Sequence, residues 1–195
     1  MLSVVALFMS AAITVGIAVK MYQGRVESPI GASDLGTYKK AVLTTDEGDI
    51  EVTFNQKSPL AIVNFVKLAK SEFYDGTNFH RVIDNLLIEG GDPLSKRDDL
   101  KSKWGNGGPG YVYKTETDPG DKIVRGVVAI VNNGTDTNGS QFFVLTRDAD
   151  WLKGQNTILG WVTKGMEVVD RISKVPTGVT KIPISNVSLT KVTLE

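Results

Sequence analysis

The 195-residue chain has no cysteine and a single histidine, His80. Without cysteine it has no disulfide, no thiol nucleophile and no thiolate metal site. One histidine excludes a multi-histidine metal centre, and a Ser-His-Asp triad would have to run through His80 alone. A surplus of charge is missing as well, since 22 Lys+Arg stand against 22 Asp+Glu. With no basic excess to hold a phosphate backbone, nucleic acid is disfavoured as a partner. There is no internal repeat. The length suits one domain with a sizeable core plus a tail or anchor.

Charge is absent altogether from residues 1–19, where Leu, Val, Ala, Phe, Met and Ile are broken only by Ser3, Ser10, Thr14 and Gly16. About 20 apolar residues span a bilayer as a helix. The stretch is apolar on all faces, which argues against a helix packed on a soluble domain. We read residues 1–19 as a membrane anchor, with a cleaved signal segment as the alternative because Gly16-Ile17-Ala18 resembles a cleavage site. Residues 20–37 carry Gln23-Gly24, Ser28-Pro29, Gly31 and Ser33, the composition of a linker. The expectation is a domain tethered outside the cytoplasm. The alternative is the cytoplasmic face, which Lys20 and Arg25 taken alone would favour.

From residue 38 the chain reads as mainly β. Ala41–Thr45 and Asp49–Phe54 flank Asp46-Glu47-Gly48, a hairpin with glycine in the turn. Ser58-Pro59 supplies an N-cap and a first helical position, and Ala61, Phe65 and Leu68 then recur at helical spacing. Residues 95–120 are rich in Gly, Lys and Asp and read as long excursions. Gly126–Val131 and Gln141–Leu145 are strand-like, separated by a loop of Asn, Gly, Thr and Asp. That loop lacks the spaced acidic residues and terminal glutamate of a calcium site. A short helix is expected over Met166–Ile172 and a closing strand through Val187, Leu189 and Val192. Short strands, few helices and glycine-rich loops point to a closed antiparallel barrel, which leaves no unpaired edge.

Two strings carry the chemistry: Phe79-His80-Arg81-Val82-Ile83 and Gly139-Ser140-Gln141-Phe142-Phe143. Each sets one side chain able to reach a peptide group among strand-forming residues. Around them, in order, stand Phe73-Tyr74-Asp75-Gly76-Thr77, Gly90-Gly91-Asp92-Pro93, Gly107-Gly108-Pro109-Gly110-Tyr111, Glu116, Trp151-Leu152 and Gly160–Met166. In register over roughly residues 38–195, this sequence resembles the cyclophilins of the small bacterial type, which are peptidyl-prolyl isomerases. The resemblance implies a closed eight-stranded barrel capped by two helices. It also implies isomerisation of X–Pro bonds without a cofactor or metal, acting as a monomer on proline-containing polypeptides.

Carried over by position, the resemblance makes Arg81, Gln141 and Asn132 catalytic. It makes Phe143, Leu86, Leu87, Glu89, Val131, Trp151, Leu152 and Asn156 substrate-binding, with His80 structural. Departures from the family cluster at the same place. Leu86, Leu87 and Glu89 stand where phenylalanine, methionine and glutamine are usual, and Ile130-Val131 where methionine-alanine is. Asn156 and Leu159 replace a frequent histidine and phenylalanine. Glu89 is the departure that touches chemistry, because a carboxylate facing Arg81 would pair with the guanidinium. Strand parity decides whether it does. The runner-up reading is a cyclophilin-fold peptide-binding or scaffold domain with weak turnover.

Overall fold

The computed structural model describes residues 36–195. The anchor and most of the linker expected over 1–37 lie outside the described residues. Among those described, no helix is long and apolar enough to cross a membrane.

The chain forms β1 (Lys40–Thr45), β2 (Gly48–Phe54), α1 (Pro59–Lys70), β3 (Thr77–Asn78), β4 (Arg81–Ile83) and β5 (Leu87–Gly90). It continues through β6 (Val127–Ile130), β7 (Phe142–Leu145), β8 (Ile158–Lys164), α2 (Met166–Ser173) and β9 (Ser188–Leu194). The hairpin, both helices and the closing strand stand where the sequence placed them. Residues 95–120 are 3-10 turns and loops, apart from a bridge between Tyr113 and Asn138.

All ladders are antiparallel, in the order β3-β9-β1-β2-β8-β6-β7-β5-β4. This corrects the expected closed eight-stranded barrel: the sheet has nine strands and is an open, strongly curled half-barrel. The missing pairing is β3 with β4, the two ends of the sheet: β3 pairs with β9, and β4, just beyond Phe79 and His80, pairs with β5. Phe79 N still donates to Val187 O beside β9, whereas His80 N donates to Glu89 O on β5. The chain changes partner between those two residues and joins the ends of the sheet without a ladder. Register shifts in β1–β9, β2–β8 and β6–β8 supply the curl, as bulges do.

Strand alternation divides the apolar residues into two bodies. Val82, Ile88, Val128, Ile130, Phe142 and Val144 face the main core with Phe54, Phe65 and Tyr74. Phe65 of α1 seals this core, its ring centroid 4.8 Å from Tyr74, 5.8 Å from Phe54 and 6.1 Å from Phe142. The intervening residues Leu87, Val127, Ala129, Phe143 and Leu145 face the other side and join Ile123, Ala149 and Ile158 in a second cluster.

Ser58 does occupy the N-cap of α1, with Pro59 at the first position, but its side chain caps nothing. Its hydroxyl instead accepts a hydrogen bond from Asn55 Nδ2. The cap comes from Glu116, whose two carboxylate oxygens accept from Leu60 N and Ala61 N, each at 3.0 Å. An anion there satisfies free donors and meets the positive end of the helix dipole. Glu116→Ala is therefore expected to lower stability by about 1–2 kcal/mol, the range for loss of a helix cap. Denaturant unfolding checks this, and an unchanged midpoint would show that α1 does not depend on the carboxylate.

Candidate active site

On the face away from the main core, cross-strand partners line up in one row: Arg81 opposite Glu89, Glu89 opposite Phe143, Phe143 opposite Ala129, and Ala129 opposite Ile158. Strand parity thus brings Glu89 to Arg81, the point that sequence left open. Arg81 Nη1 lies 2.6 Å from Glu89 Oε1. The pair is lopsided, since the arginine side chain is 44% exposed and the glutamate 11%. Burial drives the Glu89 carboxyl above its usual range, against the pull of Arg81.

His80, between β3 and β4, is buried beside Glu89 and Gln141. Burial, opposed by the charge of Asp92 and aided by that of Arg81, pushes its pKa down to about 4. The imidazole is neutral at pH 7, so its 4.0 Å approach to Glu89 is not an ion pair. Its Nδ1 has no partner.

Beside the row, Leu87 and Phe143 are buried members of the second cluster, and Leu86, Val131 and Leu152 pack against it partly exposed. An apolar floor therefore adjoins the guanidinium. At its rim Trp151 is 56% exposed, with the Arg147 guanidinium 5.7 Å from the ring centroid. Asn132 Nδ2 donates to Gln155 O at 2.8 Å, and Asn156 Nδ2 to Ile130 O at 3.0 Å. These amides tie the 150–157 loop to the end of β6.

A cleft of about 390 Å³ opens next to this floor, between the glycine-rich residues 105–112 and the 131–141 loop. Val131, Asn132 and Gln141 line it, so cleft and floor share a wall. Gln141 Nε2 donates across to Gly105 O at 3.0 Å and Gly107 O at 2.7 Å. Both amide hydrogens are thereby committed to loop backbone, and the side chain also hydrogen-bonds the His80 imidazole.

One organising residue was not singled out from sequence. Asp92 is fully buried and accepts from Leu94 N at 2.8 Å and from Gly105 N, pinning the glycine-rich loop to the end of β5. Its signal was present, because Asp92-Pro93 is an N-cap followed by a first-turn proline. Glycine is required at two positions here. A Cβ on Gly107 would lie 2.0 Å from Asp92 Oδ1, and one on Gly91, where φ is +83°, 2.6 Å from Ser140 O.

The family model for cyclophilin type peptidyl-prolyl cis-trans isomerases matches residues 40–194. The chain belongs to the cyclophilins. Among curated relatives, peptidyl-prolyl cis-trans isomerase B of Streptomyces anulatus is 37% identical over 175 residues, covering 80% of this chain and 95% of that protein. Peptidyl-prolyl cis-trans isomerase 9 of Schizosaccharomyces pombe is 38% identical over 138 residues, covering 70% of this chain but 22% of that longer protein. A crystal structure of a Cryptosporidium parvum cyclophilin superposes with a TM-score of 0.73 at 28% identity, covering 81% of this chain and 98% of that one. The same parasite cyclophilin was also crystallised in the presence of the dipeptide Ala-Pro.

The Arg81–Glu89 pair makes a stability prediction. A carboxyl whose folded pKa exceeds its unfolded value contributes stability in acid that is lost as pH rises through the folded pKa. Glu89→Gln removes that loss. The variant should therefore gain on the parent as pH rises above the ordinary glutamate range, with the gap closing in acid. Denaturant midpoints across this range check it, and a gap that widens toward acid would contradict the burial of Glu89.

Proposed function

We propose that this cyclophilin turns X–Pro peptide bonds between cis and trans on the face bearing Arg81, with the second apolar cluster as the seat for the proline ring. The observation that carries the reading is the row itself: a part-exposed guanidinium two strands from the apolar ring of Phe143, with Glu89 between them and Leu87 on the same face. Leu86, Val131, Leu152 and Trp151 frame the seat. The neighbouring cleft takes the flanking peptide, with Asn132 and Gln141 in its lining to meet the backbone. Proline-containing polypeptides are the partners, and the domain acts as a monomer.

Amide resonance resists rotation by about 18–20 kcal/mol, and uncatalysed X–Pro exchange takes roughly tens to hundreds of seconds. No bond is made or broken, so nucleophile, metal and proton transfer are unnecessary. At the twisted transition state the nitrogen lone pair leaves resonance and becomes a hydrogen-bond acceptor. A donor held beside it binds the twisted state better than either planar state, the condition for acceleration. Arg81 suits the task because it stays charged and offers several donors in a rigid fork, of which Glu89 takes one. Glu89 both steadies the guanidinium and draws its charge away. That restraint is the observation favouring the second reading, a binding domain with weak turnover.

We also propose that residues 1–19 anchor the protein in a membrane with the domain outside the cytoplasm. The support is the uncharged stretch 1–19 followed by the polar linker 20–37. Fractionation of cells expressing the full chain should find it with membranes, and protease added to intact spheroplasts should remove the domain. A soluble product or a protected domain would refute the placement.

Loss of a charged donor at the transition state costs roughly 2–4 kcal/mol by analogy with oxyanion-hole donors, so Arg81→Ala should slow isomerisation at least about tenfold with the fold intact. Glu89→Gln should keep or raise turnover. Near-normal rates in Arg81→Ala would sink the assignment, and collapse in folded Glu89→Gln would give the carboxylate a direct role.

A further inference from the structure

The cleft beside the proline seat is braced from below by α1, through a residue that touches neither the seat nor solvent. Asn64 is 0% exposed, in the middle of the helix. A polar side chain buried so completely needs partners, and these lie on opposite walls of the cleft. The Tyr111 hydroxyl donates to Asn64 Oδ1 at 2.6 Å, and Asn64 Nδ2 donates to Gly139 O at 3.0 Å. Tyr111 and Gly139 both line the cleft, one on each side. Lys67, three residues on and so on the same helix face, holds its ammonium 5.2 Å from the Tyr111 ring centroid.

Other contacts between the two loops lie elsewhere. At the end near Arg81, Gln141 ties the walls through Gly105 and Gly107. Beyond Tyr111, the loops are zipped by the Tyr113–Asn138 bridge and by the reciprocal bonds of Thr115 and Asp136, at 2.8 and 3.0 Å. Asn64 lies between these two ends, on α1, whose first turn is capped by Glu116.

We propose that Asn64 is a positioning residue for substrate: by bonding Tyr111 and Gly139 at once, it sets the separation of the cleft walls and so the grip on residues flanking the proline. The proposal rests on the reading that the Arg81 face and the cleft hold one peptide. Its consequence is a division of labour. Asn64 governs the binding of peptides long enough to enter the cleft, leaving the proline seat and the rotation step alone.

The test compares Asn64→Ala, Tyr111→Phe and their combination in the full chain. Tyr111→Phe keeps the ring in the wall and removes only the hydroxyl, so it decides the matter even if Asn64→Ala fails to fold. Dissociation constants are measured by NMR titration for the dipeptide Ala-Pro and for an octapeptide with proline at its centre, with kcat and KM for the octapeptide from exchange spectroscopy. Each single variant should weaken octapeptide binding about threefold or more with kcat and Ala-Pro affinity within about twofold, and the double variant should be no worse than Asn64→Ala. Unchanged octapeptide affinity, or parallel losses for both ligands, would overturn the proposal. A parent protein that binds the octapeptide without turning it over contradicts the isomerase reading, while the same affinity comparison still decides on Asn64.

Discussion

Arg81 and Glu89 stand directly opposite each other in the antiparallel pair β4–β5, and the second strand also carries Glu89 to the side of Phe143. The cationic donor, its acidic restraint and the apolar ring are therefore neighbours on one face by register alone. A slip of one residue in β4 would turn Arg81 into the main core and Val82 out to solvent. Register is held because the alternate residues Val82, Ile88 and Val144 are packed in that core. Core packing on one face thus fixes the chemistry of the other. The side-chain row needs no loop to be correctly placed, which suits a reaction whose catalysis is a matter of positioning.

The loops serve the site differently. Asp92, buried at the end of β5, takes hold of Leu94 N and Gly105 N, and Gln141 at the start of β7 takes hold of Gly105 O and Gly107 O. The glycine-rich segment is gripped by its backbone from two strands, and at Gly107 the grip requires glycine, because a side chain there would collide with Asp92. Relative to a glutamine at position 89, the carboxylate makes the Arg81 face electrically neutral. The buried position of that carboxylate means the neutralisation is itself sensitive to pH.

Much of this was legible in the sequence. Hairpin, helices and closing strand follow from turn residues, helical spacing and alternation, and the ordered motifs around Arg81 and Gln141 led to the family. What escaped was information held in pairings. The missing β3–β4 ladder depends on where the chain switches partner between Phe79 and His80, and no local pattern marks that step. Ser58 has the composition of a cap, yet Glu116, 56 residues from the first amide it meets, supplies the anion. Gln141 was readable as a polar residue among strand formers, whereas the commitment of its amide hydrogens required two glycine carbonyls from 34 and 36 residues away. Asn64 carries no local signal either, since its two partners stand on loops 47 and 75 residues away.

The central claim is that the face bearing Arg81 and Phe143 rotates X–Pro bonds. Two-dimensional exchange NMR on a short proline peptide, with the isotope-labelled protein at catalytic and then stoichiometric levels, tests it directly. The account predicts cis–trans exchange far faster than the uncatalysed tens to hundreds of seconds, with shift changes centred on Arg81, Leu87 and Phe143. Exchange that stays at the uncatalysed rate, or shift changes centred on another face of the sheet, would contradict it.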